Sequence, residues 1–309
     1  MQWFDTTQNT KSLPASQRHD IDWVRAMPFL VIHLSCIAVI WVGFSLPALM
    51  ICIISYLVRM FAITGFYHRY FSHRTFKTSR LLQCIFAFIG GTAVQRGAIW
   101  WASHHRSHHK LSDKPGDAHS PHTNSFLTSH MTWFLQKGHF ATDPRNVQDL
   151  THFPELRFLD RFDMLAPLLY AIGLYGVGKY LSSIGVNCTG SQALVWGFCI
   201  STVFLYHFTF SINSLAHLFG KKTYPTKDNS RNNWWLALFT LGEGWHNNHH
   251  FWPTTVRQGF KPFEIDITFY LLWLMSKFHL IHNLRLPPKE LLDGTLSTQR
   301  QMDLADRRL

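Results

Sequence analysis

The sequence predicts an all-α integral membrane protein: four transmembrane helices in two hairpins, with a cytosolic helical cap that carries a metal site. Three observations predict it. Two long tracts, Ala26–Val58 and Tyr180–Gly220, contain no Asp, Glu, Lys or Arg. Three histidine clusters stand in a chain with 20 His against 18 Asp plus Glu. The tight connections between the predicted spans carry no Lys or Arg, which places them on the outer side and the clusters together on the other.

The 309 residues fit a single domain, and no internal repeat or low-complexity segment divides them. A formal charge of +11 could attract nucleic acid. Beside buried apolar spans it points instead to an anionic bilayer surface or an anionic lipid carrier, so no nucleic-acid role is assigned. The five cysteines form no C-x-x-C, and all but Cys188 lie in apolar stretches, so no disulfide framework is implied.

Taken in order, residues 1–25 are polar with Lys11, Arg18 and Arg25, and read as a retained cytosolic tail. Residues 27–66 are long enough for two spans of roughly twenty residues, broken at Gly43-Phe44-Ser45-Leu46-Pro47. Residues 67–162 form the first cytosolic segment. Within it, residues 79–103 read as an apolar helix with a Gly90-Gly91 pair, re-entrant or lying beneath the cap. The second hairpin, 163–213, has spans near Asp163–Leu181 and Ala193–Asn213. Residues 214–309 return to the cytosol. They include an interfacial helix at 264–284, where Asp266, Lys277 and His279 interrupt aromatic and aliphatic residues, and an exposed basic tail from Leu286.

The histidine spacing carries the chemistry. His246, His249 and His250 stand at i, i+3 and i+4, as do His105, His108 and His109, and residues so spaced share a helix face. His68 and His73 add a pair. On a regular helix, residues five apart face about 140° away from each other, so the pair is expected to bracket the site and serve different ions. Asn213 and His217 add an amide and an imidazole at the cytosolic end of the last span. Nine imidazoles exceed what one metal uses, so two ions are predicted, with no carboxylate among the ligands. The other eleven histidines, His104 among them, are read as non-ligands. Asp113, Asp117 and Glu243 are candidates to orient ligand rings through the second nitrogen.

This pattern resembles the membrane-bound fatty acyl desaturases, specifically their delta-9 acyl-CoA branch. The resemblance covers roughly residues 25–285 and rests on H-x4-H at His68 and His73, H-x2-H-H at His105, Asn-x3-His before Leu218-Phe219-Gly220, and Gly-Glu-Gly-x-His-Asn-x-His-His from Gly242. It implies two irons. One would be held by His68, His109, His217 and His250, with Asn213 acting through water; the other by His73, His105, His108, His246 and His249. It also implies O2 as co-substrate, no haem, and electrons from a ferredoxin or cytochrome b5 type donor with its reductase. A kinked acyl tunnel would bend beside Gln95, Trp101 and Thr209 and be closed by apolar residues of the first two spans, with Arg96 as a further substrate contact. The chain departs from the animal enzymes at Ser103-His104, where an Arg-Asp pair is expected, and at Arg96, where an Asn is expected. Those positions contact the CoA end, so the carrier, whether CoA, another acyl carrier or a phospholipid, stays open. The implied membrane is the plasma membrane in a bacterium and the endoplasmic reticulum in a eukaryote.

The expected function is oxygen-dependent insertion of a cis double bond, at delta-9 of an acyl chain. A lipid or alkane hydroxylase of the same superfamily would use similar boxes. From another class, a bis-His haem electron carrier would need facing histidines within the bilayer. A zinc hydrolase fits poorly, because H-E-x-x-H is absent.

Overall fold

A computed structural model describes residues 14–306. The helices follow the apolar tracts. The first, α1 (Trp23–Val42), stops where Gly43 takes φ +69, and α2 (Leu46–Ser72) restarts with Ser45 Oγ accepting from Ala48 N at 3.3 Å. The break therefore falls where the sequence places it. Both helices are long and apolar enough to cross a membrane, as is α7 (Gly190–Leu218). The fourth candidate is not a plain span: α5 (Pro154–Arg161) and α6 (Leu165–Ser183) pass the test only together, bent by 74°.

Between these lie α3 (Arg80–Gly91) and α4 (Ala98–Leu111). Helix α3 packs so closely on α2 that a Cβ on Gly90 would meet the Tyr67 ring at 2.2 Å. Only glycine fits there. One charged side chain is sealed among the spans: Arg59 is 1% exposed and donates to Ser55 O and Thr92 O at 3.1 and 3.2 Å, to Thr202 Oγ1 at 2.6 Å and to Ser201 Oγ. A cation at that depth is costly unless every donor is met, and meeting them fastens α2, α7 and the turn after α3 to one another.

The rest forms a cap of short elements: α8 (Trp234–Phe239), α9 (His246–Phe251), α10 (Ile267–Lys277) and a two-stranded antiparallel ribbon of β1 (Lys77–Thr78) with β2 (Ile281–His282). Helix α10 lies in the segment expected to be interfacial and exposes Tyr270, Trp273 and Leu274. One expectation needs correction. The segment after Leu286 is not a free tail: α11 (Lys289–Leu292) carries the buried Leu291, which with Leu296 joins the apolar cluster of Tyr224, Phe251 and Phe260. Burying two leucines against α9 outweighs leaving them in water. Part of the N-terminal tail is also held, because Ile21 bridges Gln136 and Asp22 N donates to Leu135 O at 2.9 Å; residues 1–13 of that tail lie outside the described residues.

Candidate metal centre

Helix α2 ends in a π-helical stretch, Ala62–Ser72, closed by His73 N to His68 O at 3.2 Å. This i to i+5 turn changes which residues share a side. His68 and His73, which a regular helix would separate, are brought together, and the expectation that they serve different ions is corrected. They join His105, His109 and His249 in one group, while His108, His217, His246 and His250 form a second.

All nine expected imidazoles are thus gathered into two groups, but not in the division implied by the resemblance. His68 and His109 belong with His73, His105 and His249, and His108 and His246 belong with His217 and His250. The Nε2 atoms converge: His68 to His249 3.0 Å, His73 to His105 2.8 Å, His109 to His249 2.9 Å, and His217 to His246 3.0 Å. Asn213 lies at the wall of the neighbouring cavity, which His105 and His119 also line. His119, read as a non-ligand, stands with His108 and Asp117 in a third, smaller group. His104 faces away, with Nε2 at 3.2 Å from Ala141 O.

The opposite ring nitrogens meet carboxylates. Asp113 Oδ2 accepts from His217 Nδ1 at 3.0 Å, Asp117 Oδ2 from His108 Nδ1 at 3.0 Å, and Glu243 Oε2 from His68 Nδ1 at 2.5 Å. Asp228 Oδ2 does the same for His250 Nδ1 at 2.6 Å, a partner the sequence reading missed. A proton held on Nδ1 leaves the Nε2 lone pair directed into the group. His250 Nε2 is buried and, among the described residues, has no hydrogen-bond partner.

The electrostatics agree. Burial, followed by the neighbouring imidazoles, holds His105, His109, His246 and His249 well below the ordinary histidine range, so these rings are neutral. Burial alone would raise Asp117 and Asp228, but His108 and His250 outweigh it and both lie well below the usual carboxylate range. Glu243 is lowered to about 2, as His68 and then Arg69 overcome its burial. Neutral lone pairs crowded at 3 Å repel one another unless a cation sits among them. Arg69 and Asp266 cancel, so the four ring-bonded carboxylates match the charge of two divalent ions. The donor set fits metal, and the all-imidazole lining suits iron or zinc.

The arginine that follows the first histidine of each early box locks the boxes together. Arg69 donates to Asp266 Oδ2 at 3.0 Å, Val256 O at 2.7 Å and Glu243 Oε1 at 2.9 Å. Arg106 donates to Ser72 O at 2.9 Å and Asp149 Oδ1 at 2.7 Å. In the third box, Asn247 Oδ1 accepts from Thr223 N and Tyr224 N, both at 2.7 Å, and Asn248 Nδ2 donates to Glu264 Oε2 at 2.7 Å. The His-Arg pairs and Asn248 were visible in the sequence and went unread, while Asn247 entered only as part of the motif from Gly242.

Beside the five-histidine group opens a mostly apolar cavity of about 140 Å³. Trp101 lies at its wall, its ring stacked on His105 with centroids 4.9 Å apart. Trp101 Nε1 donates to Gln95 Oε1 at 3.3 Å, and Gln95 Nε2 donates to Thr209 Oγ1 at 3.2 Å. Arg96 lines the cavity as well. Of the first two spans only α1 reaches the lining, through Pro28 and Phe29, which stand with Phe134 and with Tyr206 and Phe210 of α7. One pair of histidines does face across two spans: His33 Nε2 and His207 Nε2 are 3.3 Å apart in direct hydrogen bond, with no room for a porphyrin between them.

Residues 44–258 match the family model described as fatty acid desaturase. The chain is 36% identical to the delta-9 acyl-lipid desaturase 1 of Arabidopsis thaliana over 86% of its length and 84% of the relative. It is 32% identical to the sn-1 stearoyl-lipid 9-desaturase of Anabaena variabilis over 90% of the chain and 99% of the relative. It is also 34% identical to an acyl-CoA 5-desaturase of Anemone leveillei over 83% and 77%.

Proposed function

The chain belongs to the fatty acid desaturase family, and from that premise we propose that it inserts a cis double bond at delta-9 of a saturated acyl chain. The observation that carries the reading is the junction of cavity and cluster: Trp101 is at once a wall of the apolar cavity and the stacking partner of His105. A chain lying in the cavity passes beside the five-histidine group. Turning at the Gln95, Trp101 and Thr209 network would hold one methylene pair there, which is how proximity selects a single bond.

The nine histidines would hold two irons, five imidazoles on one and four on the other, and Asn213 would act through water. Bound iron supplies the one capacity no side chain has, activation of O2 for attack on an unactivated methylene C–H. The residues do the rest. Asp113, Asp117, Asp228 and Glu243 fix ring orientation, and the apolar walls exclude water. A more polar cavity lined by His104, His108, Asp117 and His119 gives the centre a route for protons and product water. Removing two hydrogens from the chain and reducing O2 to two waters consumes two electrons and two protons. The electrons come from a ferredoxin or cytochrome b5 type donor and its reductase. In this reading α1, α2, α6 and α7 form two hairpins and the cap is cytosolic. Metal analysis of protein purified without zinc tests the proposal: two irons per chain and no haem Soret band are expected, and one ion per chain or a haem band overturns it.

A further inference from the structure

Two arginines from distant parts of the sequence line the apolar cavity side by side. Arg25 is the third residue of α1, and Arg96 lies in the turn between α3 and α4. Both guanidiniums sit on one ring, at 3.2 Å and 4.2 Å from the centroid of Phe140. Each is held by one carboxylate, Arg25 Nη1 by Asp22 at 3.0 Å and Arg96 Nε by Asp163 at 2.5 Å. Among the described residues, Arg25 Nε is buried with no hydrogen-bond partner, and the Nη atoms of Arg96 have no protein acceptor. Arg96 also takes φ +69, a costly conformation for a non-glycine residue that persists at ligand clamps when the surroundings impose it. Two like charges converge here with donors to spare.

Depth and spacing identify the anion. Arg25 stands at one end of α1, and Asp163 and Met164, which line the same cavity, immediately precede α6. Helix α1 is long and apolar enough to cross a membrane, and α6 is so together with α5, which puts these residues at the level of lipid headgroups. In a glycerolipid the phosphate lies a few bonds from the acyl ester, so a chain in the cavity leaves it beside the two arginines. In an acyl-CoA the first phosphate lies beyond the pantetheine arm, and a galactolipid has none. The carboxylates nearly balance the two arginines, which suits one added negative charge better than a polyanion. We infer that the acyl chain is presented on a phosphate-bearing glycerolipid, whose phosphodiester is gripped between Arg25 and Arg96. This rests on the desaturation reading above.

The test places the full chain, with an electron donor, in nanodiscs holding stearoyl chains as phosphatidylcholine, as monogalactosyldiacylglycerol, or as stearoyl-CoA added to a bilayer of unreactive lipid. Alkene is read by mass spectrometry in each lipid class, and retention of phosphatidylcholine or galactolipid is read separately by native mass spectrometry. Phosphatidylcholine should be preferred at least tenfold in kcat/KM. Arg25→Gln and Arg96→Gln should each lower that preference roughly tenfold, as loss of a charge-assisted contact does, and release the retained phospholipid. Arg25→Lys and Arg96→Lys should keep most of both. Equal or better use of galactolipid or stearoyl-CoA, or Gln variants with unchanged preference and retention, overturns the inference while leaving desaturation intact. No alkene in any arm, with phospholipid retention still dependent on the arginines, overturns the desaturation reading and leaves the clamp standing.

Discussion

Asp228 stands outside all three histidine boxes, yet its carboxylate accepts from His250 Nδ1 at 2.6 Å, and the single proton it fixes decides which nitrogen of His250 faces the four-histidine group. Asp228→Ala is expected to weaken metal at that group by 10–100-fold, the usual loss when a ligand's orienting partner is removed, and to leave the five-histidine group filled. Metal content per chain measures it, and unchanged stoichiometry with normal turnover would contradict it. The buried rings also make stability depend on pH in the metal-free protein. His105, His109, His246 and His249 have folded pKa values below the ordinary 6.5, so the unfolded chain binds more protons. Stability is then full above about 6.5 and falls as pH drops below it. Asp113, Asp117, Asp228 and Glu243, also depressed, add a second loss below about 4. Thermal unfolding of chelator-treated protein at pH 7.5 and 5.5 should show the lower Tm at 5.5; an equal or higher value there refutes the neutral-ring assignment. The imidazoles were legible because their spacing is local. Asp228 was not, because 22 residues separate it from His250 and nothing in the sequence marks that contact.

Among the elements, the π-helical end of α2 shows why spacing alone misled. The five-residue interval of His68 and His73 divides them on a regular helix and unites them on an i to i+5 turn, and no residue in Ala62–Ser72 announces the wider turn. The segment after Leu286 misled for a different reason: its charge and prolines read as solvent-exposed, while two leucines, Leu291 and Leu296, supply the packing that holds it on α9. Leu291→Ala should cost about 2–5 kcal/mol, the range for an emptied leucine site, and because Phe251 adjoins His250 it should also loosen metal at the four-histidine group. Chemical denaturation together with metal content checks both effects. A loss below about 1 kcal/mol would mean that α11 does not brace the third box.

For the molecule as a whole, the charge-free tracts were sufficient to find three membrane-length helices, since apolarity over twenty residues leaves few other options. The bend of 74° between α5 and α6 was hidden, because a break at residues 162–164 looks in sequence like the start of a span. The cavity was hidden more deeply. Its walls come from six separate stretches, around residues 25–29, 94–105, 119, 133–140, 163–164 and 206–213, and only the fold brings them to one side of the histidine cluster. On the proposed reading, an acyl chain anchored beside Arg25 and Arg96 would meet a fixed centre, so its reacting carbons would be counted from the carboxyl end. The most direct measurement is expression in a host unable to make unsaturated fatty acids, with mass-spectrometric location of the new double bond in sixteen- and eighteen-carbon chains. The account predicts a cis bond at delta-9 in both; a bond at constant distance from the methyl end, or a hydroxyl group in place of the alkene, would contradict it.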